Sequence, residues 1–152
     1  MNPVSPRLAT VYRIRAGIAA LVLLGFAGAG EILFGPRIGT PGLFLTLWTL
    51  IAVWLVIIRP TRMARSWRWM VDEVDLHVAG GLFEHVHTIV PLGRIQHIDV
   101  AQGPLERANG LATVVVHTAG TASTAVALPG LVYDEAVALR DTIRARMADR
   151  DE

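Results

Sequence analysis

The sequence predicts an α+β membrane protein, in which a two-helix transmembrane hairpin precedes an antiparallel β-sheet unit with a C-terminal helix. Two long apolar segments, at residues 16–34 and 42–58, indicate the hairpin. From residue 67 onward, apolar and polar residues alternate as they do in half-buried strands. A final segment returns to helical spacing, so one chain combines a membrane part with a part that folds in water.

The two apolar segments are long enough to cross a bilayer as helices. The first contains Glu31 as its only charge, and the second contains no charge. A spanning helix needs roughly 20 apolar residues, with a range of about 17–25, and both segments meet this requirement. A cleaved signal peptide ending near Ala29 is the alternative, but apolar residues resume directly after it and a second segment follows.

Glu31 lies about one turn from the outer end of the first segment. A carboxylate at membrane depth suggests a proton or ion relay. A relay needs several polar groups, however, and the second segment offers only Thr46 and Thr49. The sequence therefore favours a side chain that reaches the membrane interface, towards Arg37.

Arginine marks the ends of the hairpin that should face the cytoplasm. It stands before the first segment and after the second, whereas the Gly/Pro loop between them holds only Arg37. Under the positive-inside rule, both termini lie in the cytoplasm. Residues 1–15 then form a cytoplasmic N-terminal segment, residues 59–66 a basic juxtamembrane linker, and residues 67–152 a cytoplasmic domain.

Charge and missing residue types exclude several functions. Residues 1–65 hold seven arginines against one glutamate, a net charge of +6, while residues 66–152 hold seven arginines against twelve acidic residues, a net charge of −5. An acidic domain does not suit nucleic acid, whose partners usually carry a basic face. The chain has no Cys and no Lys, which rules out disulfides, thiolate metal sites, phosphate-loop lysines and Schiff-base lysines.

Period-two alternation predicts five or six antiparallel strands after residue 67. The segments are 74–78, 86–90, 97–100, 111–118 and 123–128. Gly and Pro residues separate them, and Pro129–Leu131 is expected to end the sheet. A helix is predicted over about 133–148, because apolar residues recur there at helical spacing. This stripe consists of Ala136, Leu139, Ile143 and Met147.

Several linked motifs occupy residues 90–120, VPLGRIQHIDVAQGPLERANGLATVVVHTAG. They are Arg94-Ile95-Gln96 with Asp99, the turn from Gln102 to Arg107, and the strand from Gly110 to Gly120. Their order and spacing resemble the bacterial PH-like domain family, in its membrane-flanked, YdbS-like branch. Members of that branch typically have two spans followed by one such domain, so the resemblance covers nearly the whole chain.

The resemblance implies a PH-like bent antiparallel β-barrel of about seven strands, capped by the C-terminal α-helix, with one further strand in SWRWMV at residues 66–71. It also implies a protein of the bacterial cytoplasmic (inner) membrane. It implies no reaction, because fold does not determine function. PH domains that hold phosphoinositides use Lys/Arg-rich loops, which this acidic, lysine-free domain lacks.

The most family-specific polar residues are a candidate partner-binding or structural motif. They are Arg94, Gln96, Asp99, Gln102, Glu106 and Arg107. In a functional role they recognise a partner helix or peptide. In a structural role, which the sequence favours, Arg94 pairs with Asp99 or Glu106 and the glutamine amides hold the turns.

The junction after the second apolar segment is a candidate contact with lipid headgroups. Its residues are Arg59, Arg62, Arg65, Trp67 and Arg68. Each arginine beside an anionic bilayer contributes about 1 kcal/mol of attraction, although the same charges also act as the topology signal.

Five histidines occupy polar positions of the predicted strands: His77, His85, His87, His97 and His117. A zinc site needs three or four converging ligands. Histidine on the wet face of a sheet is common, so polar surface residues are favoured over a metal site, with pH-sensitive contacts as a further alternative. No metal, cofactor or catalytic residue is predicted, since no nucleophile–base pair or HExxH motif occurs.

These observations predict a non-catalytic, membrane-anchored protein that docks a protein partner or organises an assembly at the membrane. Anchoring raises the effective concentration of the domain for other membrane proteins. The expected partner is another polypeptide, such as a sister PH-like membrane protein, and a homo-oligomer is compatible with this. The alternatives are anionic-lipid sensing or handling, and an accessory subunit of a transport or secretion system.

Overall fold

The computed structural model describes residues 1–38, 42–119 and 125–148, without the side chains of residues 35–38, 43 and 44. The centre of the Gly/Pro loop between the predicted spans and the start of the predicted strand 123–128 lie outside these residues. The chain forms two compact units. One is Ala9–Arg62, and the other combines Met1–Leu8 with Met63–Glu152.

Two apolar helical segments build the unit Ala9–Arg62. Helix α1 covers Leu8–Ile38, and α2 covers Leu43–Val53 and continues through a π-helical turn, Trp54–Ile58, into α3, Arg59–Ser66. Two stretches, Leu8–Phe34 and Leu45–Ser66, are long and apolar enough to cross a membrane. Most of their large apolar side chains are exposed in the folded chain, as expected for helices that face lipid.

The second helical segment continues past the end of the apolar sequence. It does so although it contains Pro60. Pro60 has no N–H to donate to the carbonyl four residues earlier. Just before it, the Arg59 N–H bonds to the Trp54 carbonyl, five residues back, which is the hydrogen bond of a π-helical turn. Residues 59–66, expected as a linker, are therefore helical.

Glu31 contacts the start of the second helix. Its Oε1 accepts a hydrogen bond of 2.6 Å from the backbone N–H of Gly42, the residue that precedes α2. Backbone donors at a helix start have no intrahelical partner, so the carboxylate satisfies one of them. This contact supports the structural interpretation of Glu31 over the relay, while the expected approach to Arg37 falls on a side chain outside the described atoms.

Within the described residues, the other unit contains seven strands in two antiparallel sheets. The first sheet has the order β1 (Asn2–Pro3), β2 (Arg68–Val71), β3 (Asp75–Gly80) and β4 (Val86–Pro91). The second has the order β5 (Ile95–Ala101), β6 (Leu111–Thr118) and β7 (Ala125–Val132). A short helix, α4 (Pro104–Ala108), joins β5 to β6, and α5 (Tyr133–Ala148) follows β7.

The core of this unit consists of apolar side chains from the strands and from α5. Strand β3 buries every second residue, including Leu76 and Val78, as period-two alternation predicts. Helix α5 buries Ala136, Leu139 and Ile143. The predicted α+β class is thus confirmed. Neither sheet is closed among the described strands, so the barrel remains a prediction.

The first eight residues belong to this unit and not to a separate N-terminal segment. Asn2 pairs with Trp69 in the first sheet, and the Ser5 N–H donates to the Gly130 carbonyl at 2.9 Å. Leu8 is only 1% exposed. Both ends of the hairpin therefore connect to one folded unit.

Strand β7 continues through Pro129–Leu131, so the expectation that this segment ends the sheet is wrong. Gly130 has φ of 79°, and the pairing of β6 with β7 shifts register nearby, between Ala112 and Val114. A Cβ atom at position 130 would lie 2.6 Å from Cδ2 of Leu8. Position 130 therefore requires glycine for two reasons. The positive φ favours glycine, and the close approach of Leu8 leaves no room for a Cβ atom.

Candidate functional site

The outer edge of β4 has no strand partner among the described residues. The Leu92 N–H donates to the Val74 carbonyl at 2.9 Å, and bonded and non-bonded pairs alternate along an antiparallel ladder. By that alternation, His87 and Ile89 direct their backbone N–H and C=O groups away from β3. Pro91 follows in the same phase, and proline is tolerated at such edge positions because its missing donor would face outward.

Apolar side chains surround this open edge. Ile89 is 52% exposed on β4, and Phe83, in the turn before β4, is 82% exposed. Val86 and Val74 are also exposed. Exposed apolar side chains on a strand with unpaired backbone groups are a feature of edges that pair with another chain.

A groove of about 370 Å³ lies between the inner row of β4 and the start of β7. It is lined by Trp67, Val78, Gly80, Val86, Thr88 and residues 125–127. The indole of Trp67 covers Gly80 so closely that a Cβ there would lie 2.6 Å from Cε3. Trp67, a candidate headgroup contact by sequence, is thus half-buried against a strand of its own unit.

Two residues of the family-specific cluster hold the loop around α4. Glu106 is 9% exposed; its Oε2 accepts from the Gly103 N–H at 2.8 Å, and its Oε1 accepts from the Thr113 hydroxyl at 2.9 Å. The Gln102 amide donates to the Leu111 carbonyl at 2.8 Å. These contacts support the structural role that the sequence favours for Glu106 and Gln102.

The rest of that cluster points to the surface. Its members are Arg94, Gln96, Asp99 and Arg107, all exposed. Among the described residues, Arg94 forms no ion pair with Asp99 or Glu106. The Glu106 carboxylate instead accepts hydrogen bonds within its own loop and from Thr113, and the Asp99 carboxylate lies beside His97 and His117. The expected ion pair of Arg94 is therefore wrong.

The juxtamembrane arginines are exposed and share part of one helix surface. Arg59, Arg62 and Arg65 lie in α3, at three-residue spacing, which keeps them within about a third of the helix circumference. Arg68 is exposed at the start of β2. Their placement is compatible with a bilayer contact.

One histidine cluster is built into the turn between β2 and β3. Asp72 Oδ1 accepts from the N–H groups of Val74 and Asp75, at 2.9 and 2.7 Å, and Oδ2 lies 3.0 Å from Nε2 of His77. His77 Nδ1 in turn lies 3.3 Å from Nε2 of His87. The hydrogen bonds from Val74, Asp75 and His77 lower the pKa of Asp72 to about 2, so this carboxylate stays charged and holds the turn.

A second cluster joins β5 and β6. His97 and His117 are cross-strand partners, and their rings stack with centroids 4.0 Å apart. Asp99 Oδ2 lies 3.2 Å from Nε2 of His117 and 3.8 Å from Nε2 of His97. Of the five histidines, only His85 takes part in neither cluster.

Comparison with known proteins decides the family. Residues 14–147 match the family model described as Bacterial PH domain. The chain belongs to the bacterial PH domain family. It is 34% identical over 155 residues to the UPF0699 transmembrane protein YdbS of Bacillus subtilis (strain 168), covering 99% of this chain and 96% of that protein. No solved structure matches the chain significantly.

Membership of the bacterial PH domain family confirms the resemblance inferred from residues 90–120. It also establishes a membrane protein with a PH-like domain, because the similar Bacillus protein is a transmembrane protein and the chain has two helices of spanning length. Membership assigns no partner and no reaction.

Sequence analysis missed the apolar edge of this bacterial PH domain. The available signal was Ile89, an apolar residue in the row that otherwise holds His85 and His87. An isoleucine in a row of polar residues departs from the alternation of the strand. Phe83 gave no signal of its own, because a turn residue has no periodic position.

Proposed function

We propose that this bacterial PH domain protein is a non-catalytic docking protein, whose β4 edge binds an extended segment of another membrane-associated polypeptide. The observation that carries the proposal is the outward backbone of His87 and Ile89 beside exposed apolar side chains. A peptide that adds a strand gains main-chain hydrogen bonds, and side-chain pockets give specificity. The groove between β4 and β7 supplies such a pocket.

The membrane anchor restricts the partner to proteins that share the bilayer. Arginines at both ends of the hairpin support a cytoplasmic position for the PH-like unit. The unit has an acidic balance, so a strand with basic flanks is better matched than an acidic one. Edge-to-edge pairing suits a sister PH-like membrane protein, whereas a second copy of this chain would bring a second acidic unit and is less well matched.

A photo-crosslinking side chain at Ile89 is expected to capture the partner in intact membranes. Ile89→Lys in a chain that carries the crosslinker at Val86 should abolish the product, because a charge on the edge opposes strand addition. The measurement is the amount of crosslinked product on a gel, followed by identification of the captured polypeptide. Tyr133, also a large exposed side chain, is the control position and should give no product.

Equal capture from Ile89 and Tyr133, or a product that survives Ile89→Lys, contradicts docking at this edge. A captured product containing only lipid would favour the second candidate function instead.

The second candidate is binding of anionic lipid by the exposed arginines of α3. Arg62→Gln with Arg65→Gln should lower the enrichment of phosphatidylglycerol around the protein by roughly fivefold for each charge, since each contributes about 1 kcal/mol. The measurement is the phosphatidylglycerol-to-phosphatidylcholine ratio that copurifies with full-length protein from mixed bilayers, quantified by mass spectrometry at low and high salt.

Arg107→Gln is the control, because Arg107 is exposed but belongs to α4 and not to the juxtamembrane helix α3. If all three proteins retain the same lipid ratio, the arginines act only as a topology signal and lipid binding is ruled out.

A further inference from the structure

We propose that His97, Asp99 and His117 form a surface site for a divalent transition-metal ion, best suited to Zn²⁺. These residues belong to the second sheet, on strands β5 and β6, and the site is independent of the β4 edge. The proposal rests on register, on donor chemistry, and on the absence of competing contacts within the described residues.

Strand register brings the three side chains to one face. His97 and Asp99 are two residues apart on β5, so they project from the same side of the sheet. His117 is the direct cross-strand partner of His97 on β6. Two ligands from one strand and a third from its antiparallel neighbour form a triangle, and the backbone ladder fixes its size.

The donor atoms already lie within reach of a shared ion. The three ligand atoms all lie within 4.8 Å of one another, and Asp99 Oδ2 is 3.2 Å from Nε2 of His117. In a tetrahedral zinc site, with bonds of about 2.0–2.1 Å, neighbouring ligand atoms are about 3.3 Å apart. The observed separations approach that value, and side-chain rotation is needed to complete the geometry.

The ligand chemistry selects the metal. Two imidazoles and one carboxylate suit Zn²⁺ and its transition-metal neighbours, whereas Mg²⁺ and Ca²⁺ prefer oxygen ligands throughout. Three protein ligands leave the fourth tetrahedral position to water or to a donor from another molecule.

A second group of candidate metal ligands consists of Asp72, Asp75 and His77. Comparison of the two groups favours the site on β5 and β6. In the second group, both carboxylate oxygens of Asp72 are engaged by Val74, Asp75 and His77 in holding a turn. The side chains of His97, Asp99 and His117 contact only one another among the described interactions. No structural role therefore competes with metal binding.

The stacked rings must turn to point both nitrogens at one ion. Their planes differ by 15°, so the two nitrogen lone pairs lie in nearly parallel planes and do not meet at one point between the rings. His97 is exposed and His117 is half-buried, so neither ring is enclosed in the core.

Isothermal titration calorimetry tests the site, with ZnCl₂ added to the full-length protein in detergent. We expect saturable binding that His117→Ala and Asp99→Asn each weaken by at least the roughly 10–100-fold that loss of an outer-shell partner costs. His85→Ala is the matched control, since His85 is exposed and outside both clusters, and it should bind as the parent does. Circular dichroism confirms that each surface variant is folded.

Tetrahedral absorption of Co²⁺, lost in His117→Ala but kept in His85→Ala, would support the same ligands independently. The proposal is overturned if the parent binds no Zn²⁺, if His117→Ala and Asp99→Asn bind as tightly as the parent, or if His85→Ala weakens binding equally.

Discussion

Replacing Leu8 with alanine is expected to destabilise the PH-like unit by about 2–5 kcal/mol, the usual cost of truncating a fully buried leucine. Leu8 is 1% exposed, and its side chain fills the space over Gly130 that a Cβ would otherwise occupy. The truncated side chain leaves a cavity that the sheet cannot close, because β7 is held by its pairing with β6.

Thermal unfolding in detergent measures this effect. For a unit of this size, each kcal/mol lowers the unfolding midpoint by roughly 4–8 °C, so Leu8→Ala should lower it by about 10 °C or more. Leu21→Ala is the matched control, because Leu21 lies in the same helix but is 71% exposed. An unchanged midpoint for Leu8→Ala would show that the first eight residues are not part of the folded unit.

Glu106→Ala is expected to cost about 2–5 kcal/mol, the second large effect. It removes two hydrogen bonds to a buried carboxylate, from Gly103 and Thr113, and bonds to charged groups contribute about 1.5–3 kcal/mol each. It also leaves the Gly103 N–H without an acceptor at the start of α4, where helix donors lack partners.

Glu106→Gln separates hydrogen bonding from packing. Its amide oxygen can accept from Gly103 while its NH₂ donates to the Thr113 hydroxyl, so we expect a loss of only about 1 kcal/mol. The thermal midpoints of the two variants should differ clearly. Equal midpoints for Glu106→Ala and the parent would refute the structural role, and Glu106 would then return to the candidate partner-binding residues.

The sequence predicts most of the regular elements because their patterns are local. Alternation locates β3, β4 and β6, and helical spacing predicts α5, whose buried residues Ala136, Leu139 and Ile143 are three of the four in the predicted stripe; the fourth, Met147, is half-buried. The apolar segments give the spanning helices, although composition alone does not show that helix continues through Pro60.

The sequence alone did not predict contacts between residues that are far apart in the chain. Strand β1 has two residues and no period, so nothing local indicates that it pairs with β2. The buried position of the Glu106 side chain depends on a hydrogen bond from the hydroxyl of Thr113, which lies on the following strand. Likewise, the meeting of His97 with His117 depends on the register between β5 and β6, which a single sequence does not fix.

The pairing of the first residues with a late strand ties maturation of the domain to membrane insertion. Ser5 precedes both apolar helices in the chain, and its acceptor Gly130 follows them. A chain that inserts only one of its helices would separate these two residues across the bilayer, and the site of Leu8 would stay empty. Correct insertion of both helices is thus a condition for completing the fold of the PH-like unit.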